Sequence, residues 1–375
     1  MIPYSTQSID ADDIQAVAEV LNSPFLTQGK KVEEFENALC GYTGAKYAVT
    51  FNSATSALFA SYKVCGISEG DEVITTPISF VATSNMFVEL GAKPVWCDVK
   101  LDGNIEERLI QKLVTAKTKA IVPVHFAGKP VEIEKIQKIA SEHNLIVIED
   151  ASHALGSSVN GKKIGSISDM TVFSFHAIKP ITTGEGGAVL TDNEEYAKKL
   201  RLIRSHGMVK KAFWNSDMIS MGYNFRLTEI AAALGLSQIK KLDDFIKVRN
   251  EIAKYYDERF KDEKLFSIVG IKENTQSARH LYPILLDPAL HCPKEDIFKE
   301  LQERGLGVQV HYKPIYQNSF YQNKFGSVSL SVANDFYRSE ISIPCHQKMS
   351  LADAKFVADT FIDIISKYSY RGCSF

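Results

Sequence analysis

From residue 47 onward the chain alternates short apolar runs with amphipathic stretches. Tyr47–Phe51, Glu72–Thr76, Pro94–Cys97, Ala120–Val124, Leu145–Glu149, Thr171–Phe175 and Ala188–Thr191 read as strands. Their near-continuous apolar character predicts burial on both faces. Helical patterns lie between most of them, at Ala54–Val64, Ser79–Leu90, Ile105–Thr115 and Val131–His143. The alternation predicts a large α/β domain with a mostly parallel sheet, whose ligands sit beyond the carboxyl ends of the strands. Residues 10–41 read as two helices, the first carrying Ile14, Val17, Ala18 and Leu21 at helical spacing. Leu227–Lys241 and Phe245–Lys261 read as long helices leading out of the sheet. Strands at His280–Leu286 and Gly307–His311, with helices at Lys294–Arg304 and Leu351–Ser366, predict a smaller α+β unit. No repeat or Gly/Ser linker interrupts the chain, so two tightly packed domains are expected, residues 1–245 and 246–375.

Composition narrows the function classes. Of 375 residues, 45% are hydrophobic and 23% charged, which fits a folded domain rather than a disordered chain. The formal charge of -2 and the lack of a basic stripe argue against a duplex nucleic-acid binder. No apolar run approaches the roughly 18 residues a membrane helix needs, and the first residues lack the pattern of a secretory signal. Six cysteines (Cys40, Cys65, Cys97, Cys292, Cys345 and Cys373) stand singly. That predicts neither a metal site nor a disulfide framework, and a reducing, cytoplasmic setting.

Three segments could carry chemistry. In Phe173–Ala188 a strand runs into a polar turn with one lysine, Lys179, then a glycine-rich turn and another strand. A lysine held at the end of a buried strand can be desolvated and made nucleophilic, as a Schiff base requires; a solvated hairpin lysine is the alternative. In Leu145–Ala154 a hydrophobic strand ends in Asp150, where a carboxylate can hold a protonated pyridine nitrogen or merely cap a turn. His153 can face the same ligand or be structural. In Phe51–Leu58 a strand gives way to Asn52, Ser53, Ala54, Thr55 and Ser56 opening a helix. Such a helix start is a phosphate site or an ordinary N-cap. Phosphate cradle, pyridine carboxylate and Schiff-base lysine follow in that order, each at a strand end of one sheet.

The segments N-S-A-T-S, E-D-x-x-H-A, S-F-H-x-x-K and G-E-G-G, over essentially the whole chain, resemble the sugar-nucleotide aminotransferases of the DegT/DnrJ/EryC1 group. That resemblance implies the type I fold of pyridoxal 5'-phosphate (PLP) enzymes, as in aspartate aminotransferase. It implies Lys179 as the Schiff-base lysine, Asp150 at the pyridine nitrogen, His153 near the phenolate oxygen and Phe80 stacked on the ring, where an isolated Phe would otherwise be core. The phosphate would be held by Ser53, Ala54, Thr55 and Ser174, with Asn224 reaching across from a second subunit of a homodimer; otherwise Asn224 caps a helix. The sugar nucleotide would draw on Tyr4, on the turn Pro24, Phe25, Leu26 and Thr27, and on Val310, His311, Tyr312 and Lys313. Proline at position 24, where relatives carry a polar side chain, leaves only backbone contacts there, and on local residues alone Val310–Lys313 is a strand end with a solvated lysine.

The implied reaction is a two-step exchange between L-glutamate and a UDP-4-keto-6-deoxy-hexosamine. Relatives that dehydrate sugars carry histidine in place of the lysine; Lys179, with His176 three residues earlier, favours transamination. Arg226 is a candidate for the donor's carboxylate. The competing readings are an aminotransferase of other regio- or stereochemistry, a non-catalytic sensor on the same fold, and an ordinary nucleotide-binding α/β protein. The last would need a G-x-G-x-x-G loop after a strand, which is absent.

Overall fold

The computed structural model describes residues 1–288, 290 and 293–369. Two helices come first, α1 (Ala11–Leu21) and α2 (Lys30–Thr43). Then β1 (Tyr47–Phe51), α3 (Ala54–Val64), β2 (Glu72–Thr75), α4 (Ala82–Glu89), β3 (Lys93–Trp96), α5 (Glu107–Leu113), β4 (Thr118–Val122), α6 (Ile133–His143) and β5 (Ile146–Asp150) alternate. Short strands β6 (Ser158–Val159) and β7 (Lys162–Lys163) precede β8 (Met170–Ser174), β9 (Gly187–Thr191) and α7 (Glu194–Arg204). A hairpin, β10 (Met208–Ala212) and β11 (Asn215–Met218), leads to α8 (Glu229–Ile239) and α9 (Leu242–Phe260).

The main sheet has the order β1-β9-β8-β5-β4-β2-β3. All neighbours pair in parallel except those of β9, which runs antiparallel to both β8 and β1. The carboxyl ends of β1, β2, β4, β5 and β8 therefore lie along one edge, as expected of an open α/β sheet. Val49, Ile74, Ile121, Ile148, Val172 and Val189 are wholly buried in its strands, because helices cover both faces.

The rest of the chain comprises β12 (Phe266–Ile268), β13 (Thr275–Gln276), β14 (Tyr282–Leu286), α10 (Lys294–Glu303), α11 (Ser319–Phe325), α12 (Ser331–Ser339), β15 (Glu340–Ile343) and α13 (Leu351–Ser369). Strands β12, β14 and β15 form a small antiparallel sheet. Its core includes Tyr256, Phe260, Ile284, Leu301, Ile341, Val357 and Phe361. Helix α9 bridges the two cores: Leu242 and Ile246 pack with Phe35 and Phe175, while Ile252, Tyr256 and Phe260 pack on the small sheet. A division at 245/246 would fall inside this continuous helix.

Two expected elements differ. Gly307–His311 forms no strand; Gln309 makes an isolated bridge to Ser342, and the His311 amide donates to the Glu340 carboxylate at 2.6 Å instead of to a neighbouring backbone. The helix expected from Ser79 begins at Ala82, because the Ser79 and Phe80 backbone forms the turn out of β2. Among the described residues no helix is long and apolar enough to cross a membrane. Cys40, Cys65, Cys97 and Cys345 are free thiols, and Cys292 and Cys373 lie outside the described residues.

Candidate active site

Strand β5 ends in two carboxylates that its alternation sends to opposite faces. Glu149 points into the core, where His125 Nε2 lies 2.6 Å from Oε2 and the Thr171 hydroxyl donates to Oε1 at 3.0 Å. Asp150 points to the carboxyl edge and is 4% exposed. Its Oδ2 accepts from Thr83 Oγ1 at 2.7 Å, and its Oδ1 from the Ser152 hydroxyl at 2.6 Å and amide at 3.1 Å. Ser79 Oγ lies 2.7 Å from Thr83 Oγ1 and extends the chain of hydroxyls.

Beyond β8, residues 175–186 form a turn closed by Thr183 N–H to Phe175 O and Phe175 N–H to Gly186 O, both 2.9 Å. Lys179 sits in it, half-buried, and its ammonium has no hydrogen-bond or ion-pair partner among the described residues. Burial pushes its pKa down to about 8, opposed by the Asp150 carboxylate. The Ser5 hydroxyl donates to Ile178 O at 3.0 Å and pins the N-terminal segment onto this turn.

Helix α3 opens at the end of β1 with a reciprocal capping box, Ser53 and Ser56 each bonding the other's amide. The Ser53 hydroxyl is therefore committed to the cap, while the Ala54 and Thr55 amides keep no partner among the described residues. Gly187 on β9 makes the approach possible: a Cβ there would lie 2.6 Å from Ala54 N and 2.7 Å from its Cα. The buried Ser174 side chain lies at the end of the neighbouring strand.

A cluster of rings closes the other side. Tyr312 Oη lies 3.2 Å from His153 Nε2, and the His153 and His280 rings lie 4.4 Å apart. Tyr4 packs 5.4 Å from His311, and Phe80 6.4 Å from Tyr312. Phe80 is 61% exposed, so it is not a core aromatic. Burial pushes His153 and His280 well below the usual histidine pKa, and the Lys179 charge adds to it. Burial raises the Tyr312 pKa, keeping it a neutral hydroxyl.

Tyr4, Phe80, Asp150, His153, Lys179, His311 and Tyr312 are thus joined in one cluster by ring contacts, the Tyr312–His153 bond and the Lys179 charge. Pro24, Phe25, Leu26, Thr27, Lys313 and Asn224 lie on the exposed surface, and Val310 is half-buried. Arg226 stands apart beside Glu36, Arg201 and Arg204. Sequence reasoning missed Thr83, Ser152, Ser5 and His280. Thr83 and Ser152 flank recognisable segments, but nothing local marks Ser5 or His280 as belonging to the site.

The family profile described as the DegT/DnrJ/EryC1/StrS aminotransferase family matches residues 7–362. The chain belongs to the DegT/DnrJ/EryC1/StrS aminotransferases. The Campylobacter jejuni (subsp. jejuni, serotype O:23/36, strain 81-176) UDP-4-amino-4,6-dideoxy-N-acetyl-beta-L-altrosamine transaminase is 50% identical to it over 376 residues, covering 100% of both chains. The solved Helicobacter pylori PseC, an aminotransferase involved in the biosynthesis of pseudoaminic acid, superposes with a TM-score of 0.96. It is 47% identical and covers 98% of this chain and 100% of its own. A Streptococcus pneumoniae sugar aminotransferase solved in its PLP form gives a TM-score of 0.94 at 30% identity, covering 98% and 99%. This DegT/DnrJ/EryC1/StrS aminotransferase accordingly has the type I PLP fold, and its cofactor is pyridoxal 5'-phosphate.

The residues present fit that group. The Ala54 and Thr55 amides beside Gly187, unpaired among the described residues, suit a phosphate, and His153 Nδ1 is a buried ring nitrogen with no partner among the described residues. An amine with a depressed pKa faces a carboxylate across the same space.

Proposed function

We propose that this enzyme transfers the amino group of L-glutamate to the C4 ketone of UDP-2-acetamido-2,6-dideoxy-β-L-arabino-hex-4-ulose, forming UDP-4-amino-4,6-dideoxy-N-acetyl-β-L-altrosamine in pseudaminic acid biosynthesis. The observation that carries the chemistry is the Lys179 amine, pushed to about pH 8 by burial, facing Asp150 at the edge of one sheet. The full-length likeness to the C. jejuni transaminase supports the choice of substrate.

Pyridoxal phosphate, when bound, supplies an aldehyde that condenses with amines and a ring that takes up carbanion charge. Lys179 would hold that aldehyde in the absence of an amino donor. Its freed Nζ, basic near neutral pH, then takes the α-proton of the donor. In the second half-reaction the same Nζ delivers a proton to C4 of the sugar. Asp150, oriented by Thr83 and Ser152, would hold the proton of the pyridine nitrogen. His153 would face the cofactor's phenolate oxygen and Phe80 would stack on its ring. The phosphate would rest on the Ala54 and Thr55 amides and Ser174, with Asn224 supplied by a second subunit. Tyr4, His311, Tyr312 and Lys313, with the Pro24–Thr27 turn, receive the sugar nucleotide across that subunit boundary.

The test is to incubate the holoenzyme with the UDP-4-keto sugar and L-glutamate. We expect one 2-oxoglutarate per amino sugar, with the altro configuration by NMR. A different configuration at C4, or transfer only from another amino acid, overturns the reading.

A further inference from the structure

His311 is 5% exposed, and burial together with the Lys179 charge pushes its pKa down to about 3. Its ring is therefore neutral, with one N–H and one bare nitrogen, and the partner of one nitrogen fixes the character of the other. Nδ1 lies 2.9 Å from Ser342 Oγ, which lies 2.5 Å from Glu340 Oε1. Glu340 Oε2 meanwhile accepts the His311 backbone N–H at 2.6 Å. Glu340 and Ser342 are two residues apart on β15, hence on one face, and both are wholly buried. Nε2 has no hydrogen-bond partner among the described residues. Unlike His153 Nδ1 it is not sealed from solvent. The mechanism above uses neither Glu340 nor Ser342.

We infer that Glu340 and Ser342 are positioning residues that set the tautomer of His311, and so decide whether Nε2 offers the sugar nucleotide an acceptor or a donor. This rests on His311 being a sugar-nucleotide contact. With Glu340 ionised, Ser342 donates to Oε1 and accepts the Nδ1 proton, which leaves Nε2 bare to accept from a hydroxyl or amide N–H. With Glu340 protonated, its O–H donates to Ser342, Ser342 donates to Nδ1, and Nε2 carries the proton. The bond from the His311 amide survives in both states. One proton at Glu340 thus reverses the polarity of a substrate contact.

Burial pushes Glu340 up to about 8, opposed by Ser342, the His311 amide and Lys294. The charged and titratable groups facing it are Lys294 on α10, whose ammonium donates to the Tyr337 and Glu340 carbonyls, and His311 and Tyr312 on the 307–314 segment.

Glu340→Gln fixes one polarity. Its carboxamide oxygen must stay on the His311 amide, so its NH2 donates to Ser342 and Nε2 keeps the proton. Ser342→Ala cuts the chain, and Ser342→Thr preserves it. The measurement is KM for the UDP-4-keto sugar and kcat across the pH range around the Glu340 titration, with the glutamate half-reaction followed separately by absorbance. We expect the wild-type KM to change about fivefold over that range, the worth of one hydrogen bond. Glu340→Gln should stay at the acid-side value, Ser342→Ala should raise KM, and Ser342→Thr should restore it. The glutamate half-reaction should keep its wild-type profile. A Glu340→Gln profile that superposes on wild type, or a Ser342→Ala KM indistinguishable from wild type, overturns the inference; if Glu340→Gln fails to fold, the Ser342 pair decides. His311→Gln separates the layers: an unchanged sugar-nucleotide KM removes the contact and this inference with it. Failure of the wild type to transfer any amine from glutamate overturns the proposed function instead.

Discussion

Thr83 Oγ1 donates to Asp150 Oδ2 at 2.7 Å although 67 positions separate them in the chain. The link ties the first turn of α4 to the end of β5 and fixes the carboxylate's orientation at the sheet edge. A hydrogen bond to a charged group contributes about 1.5–3 kcal/mol, so Thr83→Val should weaken PLP binding or turnover by roughly tenfold or more. Thr83→Ser should recover most of it. Titration of apoenzyme with PLP checks this directly; equal affinities for Val and wild type would show that the hydroxyl does not orient Asp150.

Lys179 supplies the second prediction. Its pKa of about 8 places half of the amines in the neutral form at that pH, whereas an unperturbed lysine needs about pH 10.4. In the cofactor-free protein, acylation of Lys179 should rise through a midpoint near 8, read by peptide mass spectrometry against the exposed lysines. Lys179→Ala should leave the holoenzyme without its visible absorption band and without turnover.

Gly187 is a steric test of the proposed phosphate cradle. A methyl group there meets Ala54 N at 2.6 Å and Ser53 C at 2.7 Å, all backbone, from a strand held on both sides by β1 and β8. Neither side can retreat, and overpacking of this kind typically costs about 1–3 kcal/mol. Gly187→Ala should lower the urea midpoint and reduce bound PLP, both measurable on the purified protein.

Acid stability follows from the buried histidines. His153 and His280 lie well below the usual value, His311 is near 3 and His346 near 4, each chiefly because burial disfavours the charged ring. Below about pH 6.5 the unfolded chain binds protons that these native histidines refuse, so their contribution is full above that pH and falls as pH drops, offset in part by Glu340, whose raised pKa acts in the opposite sense up to about 8. Each such histidine steepens the loss by up to about 1.4 kcal/mol per pH unit. Denaturant midpoints from pH 7.5 down to 5 should fall, and less steeply in His346→Gln. An identical slope in that variant would mean His346 takes up its proton in the folded state.

Much of this was legible from pattern. The continuous apolar strands and intervening helices announced the sheet, and α3 falls on the expected Ala54–Val64. The hairpin β10–β11 escaped because Met208–Ala212 and Asn215–Met218 are mostly exposed and carry no apolar alternation. The strand expected at Gly307–His311 failed because its amide goes to a carboxylate of β15, a partner that no local pattern specifies.

The sequence by itself determined the order of the three segments proposed to carry the chemistry, since a helix start, an aspartate and a lysine after apolar parallel strands reach one edge of the sheet. Tertiary structure alone decided what surrounds them: Thr83 on Asp150, Gly187 under Ala54, His280 against His153, and Glu340 behind His311. Strand periodicity is a local property, fixed by alternation within a few residues. Convergence of side chains from distant segments depends on the strand order β1-β9-β8-β5-β4-β2-β3 and on the docking of the small sheet, which only packing of the whole chain selects.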